Sequence, residues 1–154
     1  MILTVITIIV IVTTVQRSYF LTLINARDNS ILLRYPVNYY DMFAISYVHS
    51  VNKSIVLELF DIRQNQIILT ALEFETFGAG MPTELEPGQT LTHLPGGGMR
   101  IDGFDRYINN LQILVGYNTS HTLHLGKKSI PLDTLVDPGQ PVQFTIRHFF
   151  TIRF

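Results

Sequence analysis

From Tyr19 onward, the chain is a series of short runs rich in β-branched and aromatic residues, separated by turn-forming residues about every ten positions. Such spacing leaves no room for helices of ordinary length and is typical of an antiparallel sandwich or barrel. Two of these runs, Ile55 to Arg63 and Gln66 to Phe77, flank Gln64-Asn65 and predict a hairpin with long strands. The pattern therefore predicts one all-β domain over residues 19–154, an antiparallel β-sandwich or an open barrel.

Turn-forming and alternating sequences add detail to this prediction. A strand is predicted over Met42 to Val51, and chain reversals are predicted at Gly96-Gly97-Gly98 and at Asp102-Gly103. The alternation of apolar and polar residues after Val142 predicts a half-buried strand that continues to Phe154.

The amino-terminal segment differs from the rest of the chain. Met1 to Val15 contains no charged residue, so residues 1–18 are predicted to form a hydrophobic helix that serves as an export signal or membrane anchor. Fifteen helical residues span only about 22 Å, less than the bilayer core of roughly 30 Å. No Lys or Arg precedes the run, and its Ile, Val and Thr also suit a buried strand. With an anchor, the domain is expected outside the cytoplasm, or secreted if the segment is cleaved.

Charge and cysteine content exclude several classes of function. The 11 basic and 12 acidic residues are scattered, apart from Lys127-Lys128, which argues against nucleic acid as a partner. Without cysteine there is no disulfide, thiolate metal site or thiol nucleophile. His121 and His124 are three positions apart, which on a strand places them on opposite faces, so neither a metal nor another cofactor is predicted.

Polar residues within strand-like sequence mark the candidate site. On a strand, His49 and Ser50 point to opposite faces, so they cannot act as a base and a nucleophile unless a bulge intervenes. A hairpin around Asn52 to Ile55 would place His49 opposite Glu58, whereas a slip of one residue in register would remove the contact. A core histidine bonded to a backbone carbonyl, and a Glu58 paired with a basic residue, are the structural alternatives.

The second candidate segment is rich in glycine. Gly78-Ala79-Gly80 permits positive φ and close backbone approach, so its N–H groups could hold an anion, while a tight corner closed by Met81-Pro82 explains the same residues. Glu73 and Glu75 share one strand face, which is expected to be solvated.

These two segments resemble the bacterial family catalogued as domain of unknown function 1850. The resemblance covers about Tyr40 to Ile146 and rests on Tyr47-Val48-His49-Ser50-Val51 with Val56 and Glu58, and on Phe77-Gly78-Ala79-Gly80-Met81-Pro82. Ser54-Ile55 departs from the Thr-Pro that is typical of members. The resemblance implies an accessory protein outside the membrane, near a TAXI-type tripartite ATP-independent periplasmic (TRAP) transporter, and brings no activity with it. The motif positions to carry over, without assigned roles, are His49, Ser50, Glu58, Gly78, Ala79, Gly80 and Pro82.

Three functions remain open from the sequence. The first is a membrane-anchored binding or accessory protein without catalysis, in which these residues bind a transporter component or a small anionic solute. The second is a small hydrolase with His49 as general base. The third is a structural interaction module in which both segments pack the interior.

Overall fold

The computed structural model describes residues 14–77, 82 and 84–153, and within these residues the fold is all-β. Eleven strands and one short 3-10 turn at Leu132–Thr134 make up its regular structure. The strands are β1 (Thr14–Asn25), β2 (Ile31–Val37), β3 (Met42–Val48), β4 (Ile55–Arg63), β5 (Gln66–Phe74), β6 (Thr90–His93), β7 (Met99–Tyr107), β8 (Leu111–Leu114), β9 (Thr122–Leu125), β10 (Lys128–Pro131) and β11 (Pro141–Arg153).

The strands form two antiparallel sheets, as the sequence pattern predicted. A four-stranded sheet has the order β2-β1-β11-β8, and a seven-stranded sheet has the order β10-β9-β3-β4-β5-β7-β6. Strands β1 and β11 pair along their whole length, from Thr14 opposite Arg153 to Asn25 opposite Val142. The first and last strands of the chain therefore form the centre of the smaller sheet, which brings together residues that are far apart in sequence.

The main core lies between the two sheets, which gives a sandwich-like architecture. Leu21 of the smaller sheet and Ile45 and Leu123 of the larger one are fully buried in the same apolar cluster. The ring of Phe43 stacks on Phe60 and Phe144, with ring centres 5.0 and 6.2 Å apart. Since burial of each large apolar side chain contributes about 1.5–3 kcal/mol, this cluster is the principal source of stability.

A second apolar cluster occupies the other part of the larger sheet's inner face. It contains Val56, Leu72, Phe74 and Ile101, all buried, and Tyr47 packs against it. The strands from β4 to β7 carry this cluster, so the inner face of the larger sheet has two apolar regions that meet along β4.

The turns follow the predictions with one exception. Gln64 and Asn65 both have positive φ, as a tight hairpin turn requires, and Gly96 to Gly98 form the reversal between β6 and β7. The turn predicted at Asp102-Gly103 is wrong, because both residues lie inside β7, where the pairing with β5 shifts register. A Cβ on Gly103 would lie 2.4 Å from the carbonyl oxygen of Gly88, so this glycine is required by close backbone contact in a bulged strand.

The predicted amino-terminal helix falls mainly on residues 1–13, which lie outside the described residues. Thr14 to Ser18, the last part of the predicted segment, belong to strand β1. Among the residues that the structure describes, no helix has the length and apolar character needed to cross a bilayer.

Candidate functional site

Glu58 lies on the inner face of the larger sheet, in a row of otherwise apolar side chains. Its direct neighbours across the strands are Ile45 on β3 and Leu72 on β5. The complete row of cross-strand neighbours is Ile130, Leu123, Ile45, Glu58, Leu72, Ile101 and Leu91. Glu58 therefore places a carboxyl group where the two apolar clusters meet, and its burial raises its pKa above the ordinary value of 4.5.

Tyr47 is the hydrogen-bonding partner of Glu58. Both side chains lie on the inner face, on the adjacent strands β3 and β4. Tyr47 is opposite Val56, two positions before Glu58, so Tyr47 and Glu58 are diagonal neighbours. The Tyr47 hydroxyl donates to the Glu58 carboxyl, and this bond partly offsets the effect of burial on the carboxyl. Burial, the nearby Glu58 charge and the hydrogen bond together raise the pKa of Tyr47 to about 12, so the phenol stays protonated as a donor.

His121 extends this cluster on the side away from β4. Its ring lies beside that of Tyr47, with the centres 5.5 Å apart, and its Nδ1 is 2.9 Å from Thr119 Oγ1. The segment is attached to β3, because the Val48 N–H donates to the Thr119 carbonyl at 2.7 Å. Burial lowers the pKa of His121 below its ordinary value of 6.5. Tyr47, Glu58 and His121, called the inner cluster below, thus form a half-buried titratable group.

The expected pairing of His49 with Glu58 is wrong. Strand β3 ends at Val48 opposite Ile55, so His49 lies four positions beyond Ile45, the actual partner of Glu58. Four strand positions correspond to about 13 Å. The physical reason is the turn, since a tight reversal over residues 49–54 fixes the register by the bond from the His49 N–H to the Ser54 carbonyl at 2.8 Å.

The His49 side chain stabilises this turn. Its Nδ1 accepts hydrogen bonds from the backbone N–H groups of Val51 and Asn52 at 3.3 and 3.2 Å. Ser50 is exposed in the same turn, and the hydrogen bonds of the described residues include none between its Oγ and the His49 ring. The Nδ1 atom of His49 is therefore engaged with the backbone of its own turn.

The glycine-rich segment is only partly described. Gly78, Ala79 and Gly80 lie outside the described residues, and Pro82 is half-buried. Phe77, just before the segment, packs edge-to-face on Phe74, with the ring centres 5.2 Å apart. Phe74 is the cross-strand partner of Val56, which in turn pairs with Tyr47. The two sequence segments therefore approach each other through these aromatic and apolar residues, on the face that carries the inner cluster.

An open cleft of about 410 Å³ lies mainly on the opposite, outer face of the larger sheet. Ser46 and Leu57 are direct cross-strand partners there, and they alternate with the buried Ile45 and Val56. The lining residues are Ser46, Ile55, Leu57, Glu73, Phe74, Glu75, Leu94, Gly97, Gly98 and His124. This set, called the outer cleft below, combines apolar side chains with carboxylates, a serine and a histidine.

His124 is held in the outer cleft by two serines. Its Nε2 lies 2.8 Å from Ser46 Oγ, and its Nδ1 lies 3.0 Å from Ser129 Oγ. Ser129 on β10 is the direct cross-strand partner of His124, and Ser46 on β3 is its diagonal neighbour. Sequence reasoning placed His121 and His124 on opposite faces, and the structure confirms it, but the serine partners could not be found without the strand order.

Carboxylates outnumber basic groups at the other end of the outer cleft. Arg100 Nη1 lies 2.8 Å from Glu73 Oε1, and its Nε lies 2.8 Å from Asp102 Oδ1. Glu75 adds an exposed carboxylate nearby. Glu73 is thus ion-paired on a half-exposed face, whereas the sequence predicted a solvated one. Within the described ranges, the outer cleft included, no three His, Asp or Glu side chains converge as metal ligands.

Comparison with known protein families identifies the chain's relatives. The family model described as domain of unknown function (DUF1850) matches residues 43–132. The chain belongs to this family. No curated protein and no solved structure matches the chain significantly.

The DUF1850 match coincides with one part of the fold. It begins at Phe43 in β3, ends at Leu132 after β10, and so contains the seven-stranded sheet apart from Met42. The match is shorter than the resemblance seen in the sequence, which extended to about Ile146. Both the inner cluster and the outer cleft lie within it, whereas β1, β2 and β11 lie outside.

Proposed function

We propose that the protein is a non-catalytic binding module at a membrane, with its β-domain outside the cytoplasm and a component of a tripartite TAXI-type transporter as partner. The resemblance to the DUF1850 family suggests the transporter, and the apolar amino-terminal segment suggests the membrane. The observation that carries the binding role is the outer cleft, which is open to solvent and lies within the family-matched sheet.

The chemistry of the outer cleft suits a protein surface better than a small anion. Ile55 is 57% exposed at its rim, and Leu57 and Leu94 add apolar area. Apolar centres with a polar rim are the usual composition of protein interfaces. Glu73, Glu75 and the neighbouring Asp102 would repel an anionic solute, since Arg100 alone balances them. The favoured occupant is therefore a segment of the partner that offers apolar and basic side chains.

Co-purification with the permease tests this function. The full-length chain is expressed with the permease proteins and captured from detergent-solubilised membranes, as wild type and as Ile55→Asp. Because Ile55 is exposed, the substitution leaves the core intact but puts a charge on the apolar surface of the outer cleft, where it is expected to weaken capture by at least about tenfold.

A matched control separates a specific effect from a general one. Leu114→Asp changes an equally exposed residue, 63% exposed, on β8 of the other sheet. It is expected to leave capture unchanged. Equal capture by wild type and Ile55→Asp, or equal loss with Leu114→Asp, would contradict the assignment of the cleft, and no capture by wild type would contradict the transporter as partner.

The contacts of His124 with two serines favour a second candidate function, the hydrolysis of an ester, with His124 as the general base in place of His49. A proton on His124 Nδ1 can be donated to Ser129, which leaves Nε2 free to take the proton of Ser46 Oγ. Ser46 would attack the acyl carbonyl, His124 would return the proton to the leaving alcohol, and water would release the acid from the acyl-serine. A fluorophosphonate probe tests this directly.

Labelling of wild type but not of Ser46→Ala would support hydrolysis, with Ser50→Ala as the control that keeps labelling. The position of Ser46 counts against this reading. It lies in the part of β3 that pairs with both β4 and β9, so the backbone N–H groups next to Ser46 are engaged in the sheet and are not offered to an oxyanion.

A further inference from the structure

Charge is distributed unequally between the two sheets. The strands of the four-stranded sheet contain four arginines, Arg17, Arg34, Arg147 and Arg153, and no Asp or Glu. The remainder of the chain holds the other seven basic residues and all twelve acidic ones. A chain with net charge −1 therefore has one basic sheet, and this sheet lies mostly outside the family-matched segment.

Two of these arginines lie with aromatic rings on the outer face of the sheet. Leu21 and Leu23 point into the core, so the alternating Phe20 points outward, and its cross-strand partner is Arg147. Phe149 packs edge-to-face on Phe20, with ring centres 5.6 Å apart. Phe20, Arg147 and Phe149 therefore lie together on the outer face of the four-stranded sheet.

Arg34 on β2 completes the patch. Its guanidinium carbon lies 4.7 Å from the centre of the Phe149 ring. Arg34 and Arg147 are exposed, while Phe20 and Phe149 are half-buried beneath them. The four side chains, Phe20, Arg34, Arg147 and Phe149, are called the basic-aromatic patch. The strands that carry it contain no carboxylate that could neutralise it.

Strand β1 connects the basic-aromatic patch to the apolar amino-terminal segment of the sequence. Strand β2 pairs with β1 only from Tyr19 onward, so Thr14 to Ser18 pair with Phe149 to Arg153 as a two-stranded ribbon. Five residues span about 17 Å. In the sequence, the ribbon follows the apolar residues 1–13, and it leads to the end of the four-stranded sheet where Phe149 lies. The sequence of its two strands contains the two remaining arginines, Arg17 and Arg153.

We propose that the outer face of the four-stranded sheet docks on an anionic lipid surface. Arginines bind lipid phosphates, and aromatic side chains enter the boundary between headgroups and acyl chains. This inference rests on the membrane location in the proposed function and adds the face that contacts the bilayer. The outer cleft, on the other sheet, would then point away from the lipid toward a partner.

Vesicle binding tests the proposal without any transporter protein, so it can fail independently of the proposed function. Full-length chain is titrated with vesicles of phosphatidylcholine alone and of phosphatidylcholine mixed with phosphatidylglycerol. Binding to the neutral vesicles reports the apolar segment. The additional binding to anionic vesicles reports the patch and is expected to fall with added salt.

The decisive variant is Arg34→Gln/Arg147→Gln. Loss of two charges near an anionic surface is expected to weaken binding to anionic vesicles about 25-fold and to leave binding to neutral vesicles unchanged. Lys53→Gln/Lys127→Gln is the matched control, since it removes the same charge from exposed turns of the larger sheet, and less than a twofold change is expected.

Three results would overturn the proposal. They are equal binding of wild type to neutral and anionic vesicles, an equal loss in the two double variants, and tighter binding of single-stranded RNA than of anionic vesicles. The last would assign the patch to nucleic acid. Circular dichroism of the variants is expected to match wild type, because both arginines are exposed.

Discussion

The hydrogen bond between Tyr47 and Glu58 makes the strongest prediction, because it couples stability to pH in a known direction. Burial raises the pKa of Glu58 above 4.5, so the folded chain holds this proton to higher pH than the unfolded chain does. The contribution of Glu58 to stability is therefore complete below pH 4.5 and is lost as pH rises through the folded-state pKa. The Tyr47 bond opposes that loss by stabilising the ionised carboxylate.

The variant Tyr47→Phe removes the donor and keeps the ring. A hydrogen bond to an ionised group stabilises by about 1.5–3 kcal/mol, and one to a neutral group by about 1 kcal/mol. The free energy of unfolding should therefore fall by about 1 kcal/mol in acid and by about 2 kcal/mol once Glu58 is ionised. Because Tyr47 itself has a pKa of about 12, it does not titrate in this range.

Urea unfolding from about pH 4 to pH 8 measures the effect, with Glu58→Gln as the second arm. Glutamine keeps an acceptor for Tyr47 but does not titrate, so Glu58→Gln should lose less stability than wild type as pH rises. In that background, Tyr47→Phe should cost about 1 kcal/mol at every pH. A cost of Tyr47→Phe that is independent of pH in the wild-type background would refute the coupling.

Three further predictions concern His121, the bulged strand and the core. Burial lowers the pKa of His121, so the contribution of this residue to stability is present above pH 6.5 and is lost as pH falls. The melting temperature of His121→Gln should therefore fall less in acid than that of wild type. An equal fall in the two proteins would contradict this role of His121. Gly103→Ala should destabilise by at least about 1 kcal/mol more than Gly88→Ala in urea unfolding, because both have φ near +90° but only Gly103 contacts backbone; equal costs would contradict this. Leu123→Ala should cost about 2–5 kcal/mol and the exposed Leu114→Ala less than about 0.5 kcal/mol by the same assay, and similar values would mean that Leu123 is not in the core.

Local sequence predicted much of the strand content. The β4–β5 hairpin is confirmed, because its long apolar runs and its Gln64-Asn65 turn are adjacent in the chain. Strand β6 was missed, since Thr90–His93 has only four residues and little burial. Asp102-Gly103 was misread as a turn, because a glycine required by backbone contact in a bulge has the same local signal as one required by a turn.

The candidate sites depended more heavily on tertiary structure. The sequence offered His49 as the neighbour of Glu58, but the observed register places Ile45 opposite Glu58, four positions earlier, and the hydrogen-bonding partner is Tyr47. Ser46 and His124 are 78 positions apart in the chain. No local pattern links them, and they meet only because β9 pairs with β3.

By itself, the sequence determined the all-β class, the positions of most strands and the membership of the DUF1850 family, because alternation, turn residues and motifs are local properties of the chain. Tertiary structure alone decided which strands are neighbours, and thereby which side chains share a face. Strand order depends on contacts between distant segments, such as β1 with β11, whose cost in chain entropy is offset only by burial of the whole core. The inner cluster, the outer cleft and the basic-aromatic patch all arise from that order.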